Sequence, residues 1–494
     1  MFKKILIANR GEIAVRIIRT CREMGLRTVA LYDASDLESL HVRLADECVQ
    51  LPSHHGFMDG NLIVGIAQEL GADAIHPGYG FLAEDPAFIH TCEAAGLAFI
   101  GPPVEVVEAA RFKIGALEKA RAAGFPTVDH SPRSFTDGEF EALAASAAAI
   151  GYPLVVKSCR GGRGRGERLV NTPEHLPEVV RRAQVEAKAV YGHNELYIEK
   201  AILPAHQVGV QIVADQHGNL VHLGDREGSI IHSNQKIVEE SPALCLSPER
   251  REALLDTAVQ LARLFNYQNV GTVEFLVDGN GEFYFSEIKA RIQIEHTLTE
   301  MMTRVDLVRE QIRLAAGEPL GYAQEDIDIR GWAIMCRLQA EDPSRRYMPS
   351  PGRLRRVRLP GGPEVRVDTY LYCDSEVPPF YDPLIAKTTV WAPDRAAAID
   401  RLRRALEDFA IIGAPTNLPL LMAILRAPDF VAGSYATDFL HKPLTAKPAT
   451  DIEFLRRDLA VAAAIFYTRR HESFVPQLPE QWATGWHRTS RQIP

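Results

Sequence analysis

The sequence predicts an α/β and α+β multidomain protein: an N-terminal part built on a parallel sheet, then a longer part rich in antiparallel strands. Three observations carry this. From Lys4 to about Arg111, short apolar runs alternate with stretches of helical periodicity, the pattern of strands covered by crossover helices. Further on, the glycine-rich segment SCRGGRGRGER joins two strand-like runs. Finally, residues 271–296, GTVEFLVDGNGEFYFSEIKARIQIEH, read as a hairpin with one apolar face and one row of charge.

In the first part, KILIA, EIAVRIIRTCREMG and RTVALYD give strand, helix and strand, and DAIHP and LAFIG give later strands. The loop NRGEIA has one glycine where a dinucleotide fingerprint has three, which argues against NAD. HPGYGFLAED, from His76 to Asp85, is rich in turn formers and follows a strand. It is either a tight structural loop or a substrate-facing loop at the end of a parallel strand.

The helix KIGALEKARAAG and an alanine-rich helix from Gly138 to Ile150 come next, followed by the strand PLVVK, the glycine-rich loop and the strand RLV. Such a loop offers backbone N–H groups to phosphate oxygens and can close over a nucleotide. It is not a P-loop, since G-x-x-x-x-G-K-[ST] is absent. Lys157, just before the loop, is a candidate phosphate ligand or a surface charge. Arg160, Arg163, Arg165 and Arg168 also permit a flexible contact with RNA.

From Glu199 to about Lys442 the chain is β-rich, with QVGVQIVAD, NLVHLGDRE, the hairpin, WAIMCRLQAEDP and YMPSPGRLRRVRLPGG, then a helix from Arg395 to Ala410. The hairpin is expected as Val273 to Val277 and Glu282 to Ile288 around an Asn280-Gly281 turn. That places Glu274 opposite Glu287. Continued alternation puts Glu287, Lys289, Arg291, Gln293 and Glu295 on one face, and Ile288, Ala290, Ile292 and Ile294 on the other. The polar face is either solvated or the wall of a site, with Glu274 and Glu287 holding a hard cation such as Mg²⁺ and Arg291 and Glu295 handling an anion and a proton. Arg337, inside the apolar strand WAIMCRL, needs a partner, because an unpaired buried guanidinium is costly. A last amphipathic helix is expected near Ile452 to Tyr467.

Composition narrows the classes. With 55 basic and 64 acidic residues in 494, the net charge of -9 argues against a general nucleic-acid binder and against adsorption to anionic membranes. Seven scattered cysteines without a C-x-x-C pair suggest neither a zinc site nor a disulfide framework, and fit a cytoplasmic protein. The start lacks the long apolar run of a signal peptide, and no apolar stretch approaches the length of a membrane span.

KILIANRGEIAVRIIR, AIHPGYGFLAED, EFYFSEIKARIQIEH, CRLQAEDP and YMPSPG, in that order, together resemble the biotin carboxylase family of the ATP-grasp superfamily, over roughly Met1 to Lys442. The resemblance implies a Rossmann-like N-terminal (pre-ATP-grasp) domain over residues 1–112, connecting helices and an ATP-grasp lid over 113–203, and an ATP-grasp core over 204–330. A biotin carboxylase C-terminal domain over 331–446 and a tail helix and linker over 447–494 complete the division. It also implies ATP and Mg²⁺ as cofactors, bicarbonate as co-substrate, and carboxylation of biotin through carboxyphosphate. A homodimer is expected. No Ala-Met-Lys-Met motif is present, so the biotin is expected on a separate carrier, alongside a carboxyltransferase on another chain, in an acyl-CoA carboxylase system.

Carried over by motif, Lys113 and Lys157 bind phosphates together with the loop residues Gly161, Gly162, Gly164, Arg165 and Gly166, while Glu199 and the backbone near Ile202 hold the adenine. Glu274 and Glu287 hold magnesium. Lys236 and Arg291 hold bicarbonate with help from Gln293 and the Ile294 backbone, Glu295 is the base, and Arg337 stabilises the biotin enolate. There are departures from the family's pattern. Lys289 stands where the family has asparagine, Arg160 and Arg163 interrupt the lid glycines, and Gln207, Gly209 and Asn234 replace polar residues on the nucleotide side. The expectation is that Lys289 pairs with Glu274 or Glu287 and weakens or displaces a second Mg²⁺. Two other readings stay open on these residues: an ATP-grasp ligase acting on a nucleophile other than biotin, and a catalytically impaired member with a regulatory or assembly role.

Overall fold

The computed structural model describes residues 1–159, 168–442 and 459–467. Residues Met1–Leu444 form one compact unit; in the second, Thr445–Pro494, residues 459–467 are helical. The rest of the expected tail helix and the loop residues 160–167 lie outside the described residues.

The first sheet contains β1 (Lys4–Ile7), β2 (Arg27–Tyr32), β3 (Glu47–Gln50), β4 (Ala74–His76) and β5 (Ala98–Phe99) in the order β3-β2-β1-β4-β5. All of its pairings are parallel. Ile5, Leu6 and Ile7 are buried on both faces of the sheet, in two separate apolar clusters, which is why the run is continuously apolar rather than alternating. The HPGYG segment is a structural clasp: Asn9 donates to the carbonyls of Pro77 (2.7 Å) and Tyr79 (2.8 Å). Gly78 there has φ +62°, and an added Cβ would lie 2.9 Å from Asn9 Nδ2.

A three-stranded antiparallel sheet follows, with β6 (Leu154–Ser158) between β7 (Leu169–Val170) and β8 (Leu196–Lys200). Residues 160–167 lie between β6 and β7 in the chain. Beyond this sheet stands the central sheet of the described residues, eight-stranded and antiparallel. It comprises β9 (His206–Ala214), β10 (Leu220–His232), β11 (Gln235–Ser241), β12 (Asn269–Val277), β13 (Phe283–Lys289) and β14 (Trp332–Gln339), completed by Val365–Thr369 and Leu384–Ala392. Its order runs β13-β12-β9-β10-β11-β14, then Leu384–Ala392, then Val365–Thr369.

The hairpin corrects the expected turn. Asp278 and Glu282 close the loop, with Asp278 N–H donating to Glu282 O (2.9 Å), so the connection is Gly279-Asn280-Gly281 rather than Asn280-Gly281 alone. Gly281 supplies φ +80°, a conformation that favours glycine. A bulge at Ser286 then absorbs the one-residue offset: Phe275 pairs with Phe285, and Glu274 with Glu287. Phe275 and Phe285 are thereby buried with Val208, Val210, Ile212, Leu254 and Leu261, each large side chain stabilising by about 1.5–3 kcal/mol.

A second correction concerns residues 290–295. The strand ends at Lys289 and the helix His296–Thr303 begins soon after, so Arg291, Gln293 and Glu295 sit in an irregular connection and not on a continued strand. No helix among the described residues is long and apolar enough to cross a membrane.

Candidate active site

Two neighbouring strands place the carboxylates of Glu274 and Glu287 on one face, directly across from each other. They line a cavity of about 200 Å³ with Lys113, Lys157, Tyr197, Gln207 and Ser286. Lys113, at the start of the helix Lys113–Ala122, lies 3.5 Å from Glu287 Oε2, and Lys289 Nζ lies 2.8 Å from Glu287 Oε1. Burial pushes Glu287 up, but Lys113 and Lys289 outweigh it and hold this carboxyl well below the usual range. The expected pairing of Lys289 is therefore present, and its partner is Glu287.

Glu274 accepts from Gln293 Nε2 at 2.7 Å and lies 3.4 Å from Lys236 Nζ. Gly209, on the adjacent strand, leaves it room: an added Cβ would come 3.3 Å from Glu274 Oε1 and 2.9 Å from Thr272. Two facing carboxylates are an all-oxygen donor set suited to Mg²⁺. The Lys113 and Lys236 contacts, at 3.4–3.5 Å, are loose and can yield to a metal shared by the two glutamates. The residues present therefore fit one such ion between them.

On the other side of Glu274 lies a buried charge network. Lys236 Nζ is 3.1 Å from Glu295 Oε1, and Arg337 donates to Glu239 and to Glu295 Oε2, the latter at 3.1 Å. Gly228 makes this possible, since a Cβ there would meet Lys236 Cδ at 2.5 Å. Burial pulls Lys236 down, but Glu274 and Glu295 raise it above the ordinary lysine value. Burial also pushes Glu295 up, yet Lys236 and Arg337 keep it well below the carboxylate range. Glu239 is raised, by burial first and by Glu295 as well, against the pull of Arg337.

Arg291 is held by Glu84, at 2.9 Å, and by the Ile292 carbonyl. Gln293 accepts from Arg226 at 2.8 Å, and the Ile294 carbonyl accepts from Lys387 at 3.0 Å. The irregular connection is thus anchored residue by residue. At the cavity, Lys157 pairs with Glu199, which also accepts from the Tyr197 hydroxyl at 2.8 Å. Ile202 sits half-buried just after β8. Arg168 pairs with Glu186 at 3.2 Å. Gly161, Gly162, Gly164, Arg165 and Gly166, like Arg160 and Arg163, lie outside the described residues. Asn234 occupies the β10–β11 turn with φ +62°.

Sequence reasoning missed Glu84, Arg226, Glu239 and Lys387. Arg226 carried a usable signal: like Arg337, it is a guanidinium in a strand that the fold buries, here bonded to Gln211, Thr272, Gln293 and Thr299. The other three act on partners 93 to 207 positions away, beyond the reach of any local pattern.

A small antiparallel sheet set before a larger one, with paired carboxylates and lysines at a cavity, defines an ATP-grasp ligase, here preceded by a parallel-sheet domain. Residues 1–107 match the family "Biotin carboxylase, N-terminal domain", residues 113–323 "Carbamoyl-phosphate synthase L chain, ATP binding domain", and residues 335–442 "Biotin carboxylase C-terminal domain". The chain is 46% identical over 444 residues to a biotin carboxylase of Nostoc sp., covering 89% of this chain and 99% of that one. It is 41% identical over 494 residues to the propionyl-CoA carboxylase alpha chain of Ruegeria pomeroyi, covering 94% of this chain and 72% of that one. Among solved structures, the biotin carboxylase domain dimer of Hydrogenobacter thermophilus 2-oxoglutarate carboxylase, in complex with MgADP, ADP and bicarbonate, superposes with a TM-score of 0.87 at 44% identity, covering 89% of this chain and 97% of that one. The chain belongs to the biotin carboxylase family: it is an ATP-dependent ligase, the biotin carboxylase component of a biotin-dependent carboxylase.

Proposed function

We propose that this protein uses ATP, Mg²⁺ and bicarbonate to carboxylate biotin on a carrier borne by another chain, as the biotin carboxylase component of an acyl-CoA carboxylase. The observation that carries this reading is the Lys236–Glu295–Arg337 cluster lying directly beside the Glu274/Glu287 pair. It sets fixed cations and one carboxylate next to a site for a metal-bound nucleotide.

Lys113 and Lys157 bind the phosphates, and Glu199 and the Ile202 backbone take the adenine. Glu274 and Glu287 would hold a Mg²⁺, which would supply positive charge to the phosphates when bound. Bicarbonate is held by Lys236 and Arg291, with Gln293 and the Ile294 backbone beside them. Glu295 removes its proton, so that the resulting oxyanion attacks the γ-phosphorus and ADP leaves, forming carboxyphosphate.

The geometry gives the base a trigger. Lys236 and Arg337 both hold Glu295 ionised and weakly basic. An anion that draws Lys236 away removes part of that pull, and the basicity of Glu295 rises when bicarbonate is in place. Phosphate then leaves carboxyphosphate and takes the ureido N–H proton, Arg337 stabilises the biotin enolate so formed, and the ureido nitrogen bonds to the carboxyl carbon that phosphate has left.

The 494 residues hold no Ala-Met-Lys-Met motif, which supports a carrier outside them. The Ruegeria match, reaching over 94% of this chain where the Nostoc match reaches 89%, supports the acyl-CoA assignment. The dimer named for the Hydrogenobacter structure supports a homodimer. The test is ADP release with MgATP and bicarbonate, with and without free biotin. Release that needs bicarbonate and is stimulated by biotin is expected. Bicarbonate-dependent release that biotin leaves unchanged would move the reading to another nucleophile, and no release would overturn it.

A further inference from the structure

Resting on the nucleotide reading above, we infer that Lys289 is a built-in substitute for a divalent cation: this chain binds its nucleotide with one metal ion, and the Lys289 ammonium supplies fixed positive charge on the outer flank of Glu287.

Lys289 is the last residue of β13, paired with Thr272, two positions along the strand from Glu287 and on the same face. Its Nζ lies 2.8 Å from Glu287 Oε1, the length of a charge-assisted hydrogen bond. The other cation contacts of the glutamate pair are longer: Lys113 is 3.5 Å from Glu287 Oε2, and Lys236 is 3.4 Å from both oxygens of Glu274. The four oxygens are therefore not equivalent. Glu274 Oε1, Glu274 Oε2 and Glu287 Oε2 have only loose cation contacts, with a neutral amide donor added at Glu274 Oε1, and can turn to a metal. Glu287 Oε1 already holds a full ion pair with a tethered cation. Glu274 and Glu287 line the cavity and Lys289 does not, so the Lys289 ion pair leaves the shared position between the two glutamates open.

The pairing agrees. Glu287 carries Lys113 and Lys289, Glu199 carries Lys157 and Glu274 carries Lys236, so each of these three carboxylates has a cation before any metal is added. A second divalent ion on Glu287 would have to displace Lys289 and leave a partly buried ammonium without its carboxylate, which is costly. A protonated lysine cannot itself ligate a metal. Lys289 therefore excludes one ion and replaces part of its charge.

Electron paramagnetic resonance of bound Mn²⁺, titrated with ADP on the full chain, tests this directly. The unmodified protein is expected to hold one Mn²⁺ per bound ADP and Lys289→Asn two. In EDTA, Lys289→Met should bind ADP about ten- to a hundredfold more weakly than the unmodified protein, the scale of leaving the Glu287 charge less compensated a few ångströms from the phosphates. Two Mn²⁺ per ADP in the unmodified protein overturns the inference while leaving the nucleotide reading intact. So does a count of one in Lys289→Asn, or metal-free ADP affinity that Lys289→Met leaves unchanged. No ADP binding under any condition overturns both.

Discussion

Glu274 and Glu287 face each other across β12 and β13 although the turn that joins those strands is one residue longer than a tight two-residue hairpin. The bulge at Ser286 reconciles the two. It lets Phe285 pair with Phe275 in the core, ring centroids 6.4 Å apart and edge-on, while returning Glu287 to the polar face. The bulge therefore serves packing and chemistry together.

Glu287 is the more exacting member of the pair, because Lys113 and Lys289 both depend on its charge. Glu287→Gln should reduce Mg²⁺-dependent ADP release by about 10²–10³-fold, the scale found when one preorganised electrostatic partner is removed. Deleting the charge also loosens both lysines. Steady-state rates across a Mg²⁺ titration check this, and a variant within tenfold of the unmodified protein would show that Glu287 does not hold the metal.

How far the site was legible in the sequence follows from the range of the interactions. The opposition of Glu274 and Glu287 could be read because strand alternation is local and tolerates an error in the turn. The same alternation misled beyond Lys289, where Arg291, Gln293 and Glu295 fall on one side for another reason: Glu84, Arg226, Lys236 and Arg337 reach in from elsewhere and fix each of them. Period two cannot tell a strand from a connection pinned by distant partners. In the first sheet the parallel pattern was readable, but the strand Glu47–Gln50 was not. It lies at the sheet edge and is only half-buried, so it lacks the apolar run that marks the inner strands.

Arg226 should behave as a positioning residue. It donates to Gln211, Thr272, Thr299 and Gln293 at 2.6–3.0 Å, and Gln293 in turn donates to Glu274. Arg226→Met should cost about 3 kcal/mol of stability, because four buried acceptors lose their donor. The KM for bicarbonate should rise by about tenfold or more, and by a larger factor than the KM for ATP, since the disturbed side chain flanks the proposed bicarbonate site. Equal changes in both KM values would mean a general loss of packing instead.

The Ile294 carbonyl is held by Lys387, which also lies 3.2 Å from Glu12 Oε2, and Tyr79 donates to Glu12 Oε1. Burial pushes Glu12 up to about 7, with Asp368 adding to the rise and Lys387 and Arg366 opposing it. Between about 4.5 and about 7 the folded chain thus keeps a proton that the unfolded chain has lost. The contribution of Glu12 is fully present below the unfolded value and disappears as pH rises through 7, on the order of 3 kcal/mol in all. Glu12→Gln cannot ionise, so its stability relative to the unmodified protein should climb from pH 5 to pH 8. The buried His41 and His76, both lowered chiefly by burial, are common to the two proteins and cancel in the difference. Unfolding midpoints at a series of pH values check the slope; a flat difference would show that Glu12 is ionised throughout.

Arg337 is shared between two buried carboxylates, Glu239 and Glu295, and removing it tests structure and chemistry separately. Arg337→Met leaves Glu239 and Glu295 with Lys236 as the remaining cation in contact with both, at a cost of about 3–5 kcal/mol. Loss of that cation also raises the proton affinity of Glu295, so the acidic limb of the pH–rate profile for ADP release should move upward. Adding Glu239→Gln removes the second charge and should recover much of the stability. If Arg337 also meets biotin, the double variant will keep bicarbonate-dependent ADP release and still fail to respond to biotin. Recovery of biotin stimulation along with stability would mean that Arg337 acts only by balancing its two carboxylates.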